Sequence, residues 1–501
     1  MGSNRRARVG RRTGQGSDDA PTVGVVGGRR RALAGALAAV TALGGYVALD
    51  VADIVPGVLT TDTRAGAPAP GAPTPAGDAQ PDTDPAQAPP APPLAALATD
   101  APLPQGETLR ARLAPVLANP ALGPSVGLDV RDGLTGKRLV AADPDTPRTP
   151  ASTTKLLSAA AIAHTADPAA TFTTRAVTGA GDGDVVLVAG GDTLLAPGKG
   201  DPAAVAGRAG LADLARQVAR SLQKQGRSSV RVHLDDTFAA GPALAPTWEP
   251  GDVSLGLVGP VTMLGTTDAR ALPGHPAPAD PALHATSVFA TELARAGVTV
   301  TGRPDRTRAP EDATELGAVH SAPLVDVLAL ALDESDNTLT ESLARSTAAG
   351  QGVAPEFPTV ADWVRGRLGE SGLDIRRIAL VDTSGLSRDT RAPASALGDL
   401  LAGATTGKDP RFADVVARLP VAGLTGTLGE RFHDPVARPA AGLARAKTGT
   451  LTGVHALAGT VVDADGRLLV YGVLADRAGG TPEARAALDS MVATLASCGC
   501  R

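Results

Sequence analysis

Ser152-Thr153-Thr154-Lys155 sets a hydroxyl and an amine three residues apart. On a helix the two share a face, so the amine lies beside the hydroxyl. A serine hydroxyl is a poor nucleophile until something takes its proton. A lysine desolvated among apolar neighbours, here Leu156, Leu157 and several alanines, has its pKa lowered enough to serve as that base. The helix N-terminus favours the developing negative charge. Two further short elements complement this one. Ser335-Asp336-Asn337 offers a second hydroxyl and an amide, and Lys447-Thr448-Gly449-Thr450 offers an ammonium and a hydroxyl directly before a terminal hairpin. As a strand edge the latter suits a substrate carboxylate, with Gly449 letting the backbone approach. The N–H groups of Thr450 and Ser152 would form an oxyanion hole.

These elements differ in how much they discriminate. Ser-x-x-Lys arises by chance about twice in a chain of this length, and a second copy, Ser221-Leu222-Gln223-Lys224, is present. That copy ends an amphipathic helix just before Gly226, where a lysine is expected for helix-dipole reasons, and reads as structural. Lys-Thr-Gly arises in roughly one position in four thousand. The chain has only six lysines among 47 basic residues, and its only asparagines are Asn4, Asn119 and Asn337. Lysines kept where arginine is the rule suit a task that needs proton release. Ser335-Asp336-Asn337 also reads as a helix N-cap before Leu339 and Leu343, and both readings can hold together.

The elements that must position these residues come from both ends of the chain. Leu109 to Leu117 reads as a helix; Ser125 to Asp132 and Arg138 to Ala142 read as strands joined by Gly133-Leu134-Thr135-Gly136. Pro150 opens an apolar helix carrying Ser152 and Lys155. Val454 to Val462 and Arg467 to Ala475 form a second hairpin, followed by a helix with Thr481 as cap and Pro482 in its first turn. Helices lie between, which makes an α+β sheet with halves far apart in sequence. Residues 106–169 and 311–501 supply this body. Residues 170–310 read as an insertion of one or two small domains, with strands Asp184 to Ala189 and Ser229 to Leu234 and a helix Leu211 to Gln225.

Before the body stand a basic segment (1–31), an uncharged apolar run (Ala32 to Leu49) and a Pro/Ala-rich spacer (61–105) that cannot bury a core. The run is at the short end of what spans a bilayer. Basic residues before it and Asp50 and Asp53 after it place the N-terminus in the cytoplasm and the body outside. It reads as an uncleaved signal-anchor rather than a cleaved leader, and so as the membrane contact. At 501 residues the chain predicts two or three domains. Its net charge of −5 gives no case for nucleic acid, and a 2% aromatic content leaves Ala, Val and Leu to build the core. The only cysteines, Cys498 and Cys500, have no zinc or iron–sulfur spacing; nothing calls for a metal or cofactor. Their pairing is open.

The three chemical elements, in this order, resemble those of penicillin-binding proteins and class A β-lactamases. Over Gly106 to Ala496 the chain resembles the D-alanyl-D-alanine carboxypeptidase/endopeptidase family, the class C low-molecular-mass penicillin-binding proteins. Val188-Ala189-Gly190-Gly191-Asp192, Gly241 to Pro246 with Trp248, Gly259-Pro260-Val261 and Asp382 to Ser387 look like that family too. The 183-residue separation of Ser335 from Ser152 (335 − 152) matches the family's inserted domains. The resemblance implies a serine β-lactamase/transpeptidase-like domain, an antiparallel sheet flanked by helices. It implies that Ser152 is acylated by peptidoglycan stem peptides and by β-lactams as covalent inhibitors, with Lys155 as base. It implies that Ser335 relays a proton, that Asn337 holds the peptide amide, and that Lys447 and Thr448 bind the terminal carboxylate. A class A β-lactamase also needs Glu-x-x-Leu-Asn for deacylation, which is absent. A catalytically inactive wall-binding protein is the remaining alternative, though no motif residue is lost.

Overall fold

The computed structural model describes residues 100–499. The chain enters through a helix, α1 (Gly106–Leu117), and the hairpin β1 (Val126–Asp132) and β2 (Arg138–Ala142), then α2 (Thr154–Thr165). It leaves through β9 (Ala444–Leu451), β10 (Val454–Val462), β11 (Leu468–Ala475) and α11 (Thr481–Ala496). These strands make one antiparallel sheet in the order β2-β1-β11-β10-β9. The first and last parts of the described body meet where β1 pairs β11, from Val126↔Ala475 to Asp132↔Leu469.

Strand alternation sorts side chains to two faces. On β11, Leu469, Tyr471 and Val473 pack with α1 and α11 through Leu109, Leu113, Leu488 and Met491. Val470 and Leu474, with Ala456 and Ala458 of β10, face the other way, against Leu156, Leu157 and Leu397. The small residues on this second face let helices approach closely, which is how a core nearly without aromatics is filled.

Between β2 and β9 the chain adds β3 (Thr173–Thr178), β4 (Asp184–Val188), α3 (Leu211–Lys224), β5 (Ser229–Asp235), α4 (Pro250–Ser254), α5 (Pro281–Arg295), β6 (Thr299–Val300), β7 (Asp305–Arg306) and β8 (Glu315–His320). Helices α6 (Leu324–Asp333), α7 (Asn337–Ala349), α8 (Phe357–Glu370), α9 (Ala394–Thr405) and α10 (Pro410–Val416) follow. Strands β6-β5-β4-β3-β8 form a second sheet, with β7 beside β5. Pairing is parallel from β4 to β5 and from β5 to β6, so α3 and α5 are crossover helices. They bury Leu211, Leu214, Val218, Leu222, Phe289 and Leu293 against Val185, Leu187, Val230 and Val232.

Three boundaries move relative to the sequence reading. The second sheet continues past Pro310, because β8 pairs β3 from Thr173↔His320 onward. The packed body begins before Gly106: Ala101 is buried, and its carbonyl accepts from Arg467 Nη1 at 2.9 Å. The cap of α11 is Gly480, with Thr481 already helical. Among the described residues no helix is long and apolar enough to cross a membrane; the Ala32 to Leu49 run and most of the spacer lie outside them. Cys498 is buried and disulfide-bonded; Cys500, the only other cysteine, lies outside the described residues.

Candidate active site

Ser152 does not sit in the α-helix that its spacing suggests. Ala151–Thr153 forms a 3-10 turn and α2 starts at Thr154, with Pro150 in the cap position of the turn. Ala151 has φ +46°, a left-handed conformation that alanine adopts only at a cost of about 1–2 kcal/mol. The turn is pinned by Thr153 Oγ1 donating to Pro150 O at 2.7 Å. Ser152 in this turn and Lys155 in the first turn of α2 are three residues apart on one face, and Lys155 Nζ meets Ser152 Oγ at 2.9 Å. Strained residues of this kind cluster at functional sites.

Lys155 is fully buried, and its amine has three partners: Ser152 Oγ at 2.9 Å, Asn337 Oδ1 at 2.5 Å and Ser384 O at 2.9 Å. An ammonium satisfies all three. A neutral amine has two N–H donors and one lone pair. Asn337 Oδ1 and Ser384 O can only accept, so the two N–H bonds go to them. The lone pair is left for Ser152, the one partner with a proton to give. Burial lowers the Lys155 pKa to about 8, against the opposing pull of Asp382, Asp336 and Glu341.

The link between α6 and α7 carries Ser335, and Asn337 opens α7. Asp336 caps α7 by accepting from Leu339 N at 2.8 Å, so the cap reading and the site reading hold together. Ser335 has φ +58°. Arg270 of the inserted region braces this link, donating to Asp336 Oδ2 at 2.7 Å and pairing with Glu334. Asn337 Nδ2 donates to Leu257 O at 2.8 Å, which fixes the amide so that its oxygen faces Lys155.

Lys447 of β9 is buried, and Nζ donates to Ser335 Oγ at 2.8 Å and Thr448 O at 3.0 Å. Burial, then the charge of Lys155, push its pKa well below the usual lysine range, with Asp333 opposing. The site thus holds two Ser–Lys pairs whose lysines repel one another. Thr448 Oγ1 donates to Thr427 Oγ1 at 3.1 Å. Gly449 lets β9 approach the Ala151–Thr153 turn, since a Cβ there would lie 2.7 Å from Pro150 O. Thr450 is half-buried on the same strand, which ends the sheet order. Gly385, at φ +77°, closes the other side; a Cβ there would lie 2.1 Å from Ala151 O.

Two buried carboxylates lie behind this cluster; the sequence reading names Asp382 only within a stretch that looks like the family and gives neither it nor Glu341 a role. Asp382 Oδ1 accepts from Gly385 N at 2.9 Å; Oδ2 accepts from Ser387 N at 2.7 Å and Trp248 Nε1 at 3.0 Å. Glu341 accepts from Thr383 N, Thr383 Oγ1 and Ser384 N at 3.0, 2.6 and 2.8 Å. Burial and the neighbouring Asp382 push the Glu341 pKa up to about 7. A signal for Glu341 existed: it lies one helical turn from Asn337 on the same face. The second Ser-x-x-Lys copy stands apart, with Ser221 Oγ bonded to Leu316 O at 2.8 Å and Lys224 exposed at the end of α3.

The sequence matches the profile of the D-Ala-D-Ala carboxypeptidase 3 (S13) family over residues 109–271 and 265–498. The chain belongs to the S13 family. It is 37% identical over 425 residues to carboxypeptidase DacB of Mycolicibacterium smegmatis, covering 82% of this chain and 90% of that one. It is 36% identical over 426 residues to carboxypeptidase Rv3627c of Mycobacterium tuberculosis, with the same coverage. Penicillin binding protein 4 (dacB) of Haemophilus influenzae superposes with a TM-score of 0.61 at 19% identity, over 78% of this chain and 98% of that one. The α+β penicillin-binding fold is therefore established. An S13 member is a hydrolase, a carboxypeptidase of the D-alanyl-D-alanine class.

Proposed function

We propose that this S13 chain is a serine-type D-alanyl-D-alanine carboxypeptidase/endopeptidase that cleaves peptidoglycan stem peptides through an acyl-enzyme at Ser152 and is blocked by β-lactams. The observation that carries the reading is the partner set of Lys155, which leaves a neutral amine no target for its lone pair except the Ser152 proton. Neutral Lys155 takes that proton as Oγ attacks the carbonyl carbon of D-alanine. The oxyanion is received by the N–H groups of Ser152 and Thr450. Ser335, bonded to Lys447, passes a proton to the leaving amine as the peptide bond breaks. Lys447 and Thr448 hold the terminal carboxylate, and Asn337 the peptide amide. Water then attacks the ester, and the acid departs with Ser152 restored.

A β-lactam takes the same first step, but its leaving amine stays tethered, and no Glu-x-x-Leu-Asn element is present to activate a deacylating water. Slow release follows. A Haemophilus relative of this fold has been solved with a β-lactam, at a TM-score of 0.57, which supports that part of the reading. The Ala32 to Leu49 run, with basic residues before it, would hold the body on the outer face of the plasma membrane. The test is incubation of the purified chain with wall fragments ending in D-Ala-D-Ala. Release of D-alanine or cleavage of cross-links, lost in Ser152→Ala, is expected; equal release by the variant overturns the assignment.

A further inference from the structure

We propose that Glu341 is a positioning residue for Lys155, a buried carboxylate that fixes the Ser384 carbonyl on the amine and governs, by its charge, how readily that amine releases its proton. This rests on the reading of Lys155 as the base of Ser152. Asn337 and Glu341 lie one turn apart on α7 and act on Lys155 by different routes. Asn337 Oδ1 accepts from Nζ directly at 2.5 Å. Glu341 grips Thr383 and Ser384 through two backbone N–H groups and the Thr383 hydroxyl. Ser384 O then accepts from Nζ at 2.9 Å. The same peptide group is held through its N–H by Asp382, which accepts from Gly385 N. Two carboxylates therefore seat one carbonyl, and neither reaches Lys155 through a hydrogen bond of its own.

A plain amide could accept from the same N–H groups, so a buried charge calls for a further reason. The groups facing Lys155 are Asp382 from the 382–387 loop, Asp336 from the cap of α7, Glu341 from α7 and Lys447 from β9. Those facing Glu341 are Asp382 and, one turn along its own helix, Arg345. Each carboxylate favours the ammonium. Removing one lowers the pKa of Lys155, so the amine becomes neutral at lower pH and is a weaker base once neutral.

Glu341 allows charge to be separated from grip. Its Oε1 accepts from both N–H groups, and Oε2 meets only a hydroxyl, which can turn from donor to acceptor. Glu341→Gln can therefore keep every contact while removing the charge. Asp382 offers no such variant, because both its oxygens accept from N–H groups.

The experiment measures the rate of acylation by a chromogenic cephalosporin from pH 5.5 to 9.5 for the full chain and Glu341→Gln. Thermal unfolding of each verifies that it is folded. The acid limb is expected to move down by less than about one pH unit, below what an adjacent opposite charge does, since Glu341 acts on Lys155 more weakly than Asp382 and Asp336. A folded Glu341→Gln whose limb stays in place or rises overturns the inference. If that variant does not fold, Thr383→Val removes the hydroxyl donor that favours the Glu341 charge; a smaller downward move supports the inference and none overturns it. A native chain that takes no β-lactam at any pH overturns the underlying reading of the site. A native chain that acylates, with a limb insensitive to Glu341→Gln, overturns this inference alone.

Discussion

Lys155→Arg separates the two things that a lysine beside Ser152 could supply, positive charge and a removable proton. With its pKa at about 8, roughly half of Lys155 is neutral at pH 8, against well under 1% for a solvated lysine. Arginine, with a pKa above about 12, is neutral in roughly one molecule in 10⁴ at that pH. Its fork can still donate to Asn337 Oδ1 and Ser384 O, so polar partners are retained while the lone pair is lost. Acylation at pH 8 should fall by roughly 10³- to 10⁴-fold. The assay is covalent trapping with a fluorescent penicillin, timed by quench and gel, with thermal unfolding as the control for folding. The native rate should rise with pH through about 8, since the base is the neutral form. Lys155→Arg within tenfold of the native rate would refute the role given to Lys155.

Gly385→Ala places a Cβ 2.1 Å from Ala151 O at φ +77°. It should cost about 1–3 kcal/mol of stability in denaturant titration and slow acylation by displacing the nucleophile turn. Arg270→Ala removes the brace on Asp336 and Glu334 and should cost about 1.5–3 kcal/mol. It should also lower the rate of stem-peptide cleavage, since Ser335 and Asn337 flank Asp336; unchanged turnover would deny the brace a part in the site. Deleting Met1 to Thr99 should leave a soluble chain that acylates at the native rate. Deletion through Gln105 should lower the unfolding temperature, because Arg467 loses the Ala101 carbonyl.

The terminal hairpins were legible because alternating apolar runs end in Gly- and Asp-rich turns, and the order observed for β10 and β11 follows from them. The strand–helix–strand run of β4, α3 and β5 was legible too, but the strands beside β5 were not, since β6 and β7 are two residues each and carry no periodicity. Ser152, Ser335, Asn337 and Lys447 stood out because Lys and Asn are scarce in this chain. Glu341 and Asp382 did not, among 52 acidic residues, because their burial is set by packing between α7 and a distant loop. The 3-10 turn at Ser152 escaped for a related reason. It depends on Ala151 in a left-handed conformation, which nothing in an alanine announces. Ser384 acts through its carbonyl oxygen, a group that every residue has, so no choice of side chain could point to it.

The central claim is that Ser152 is the residue acylated, with Lys155 drawing off its proton. Intact-mass and peptide-level mass spectrometry of the native chain after brief exposure to penicillin tests it most directly. One adduct per chain is expected, on the peptide containing Ser152, and none in Ser152→Ala. An adduct on Ser221, on Ser335 or on no residue at all would contradict it.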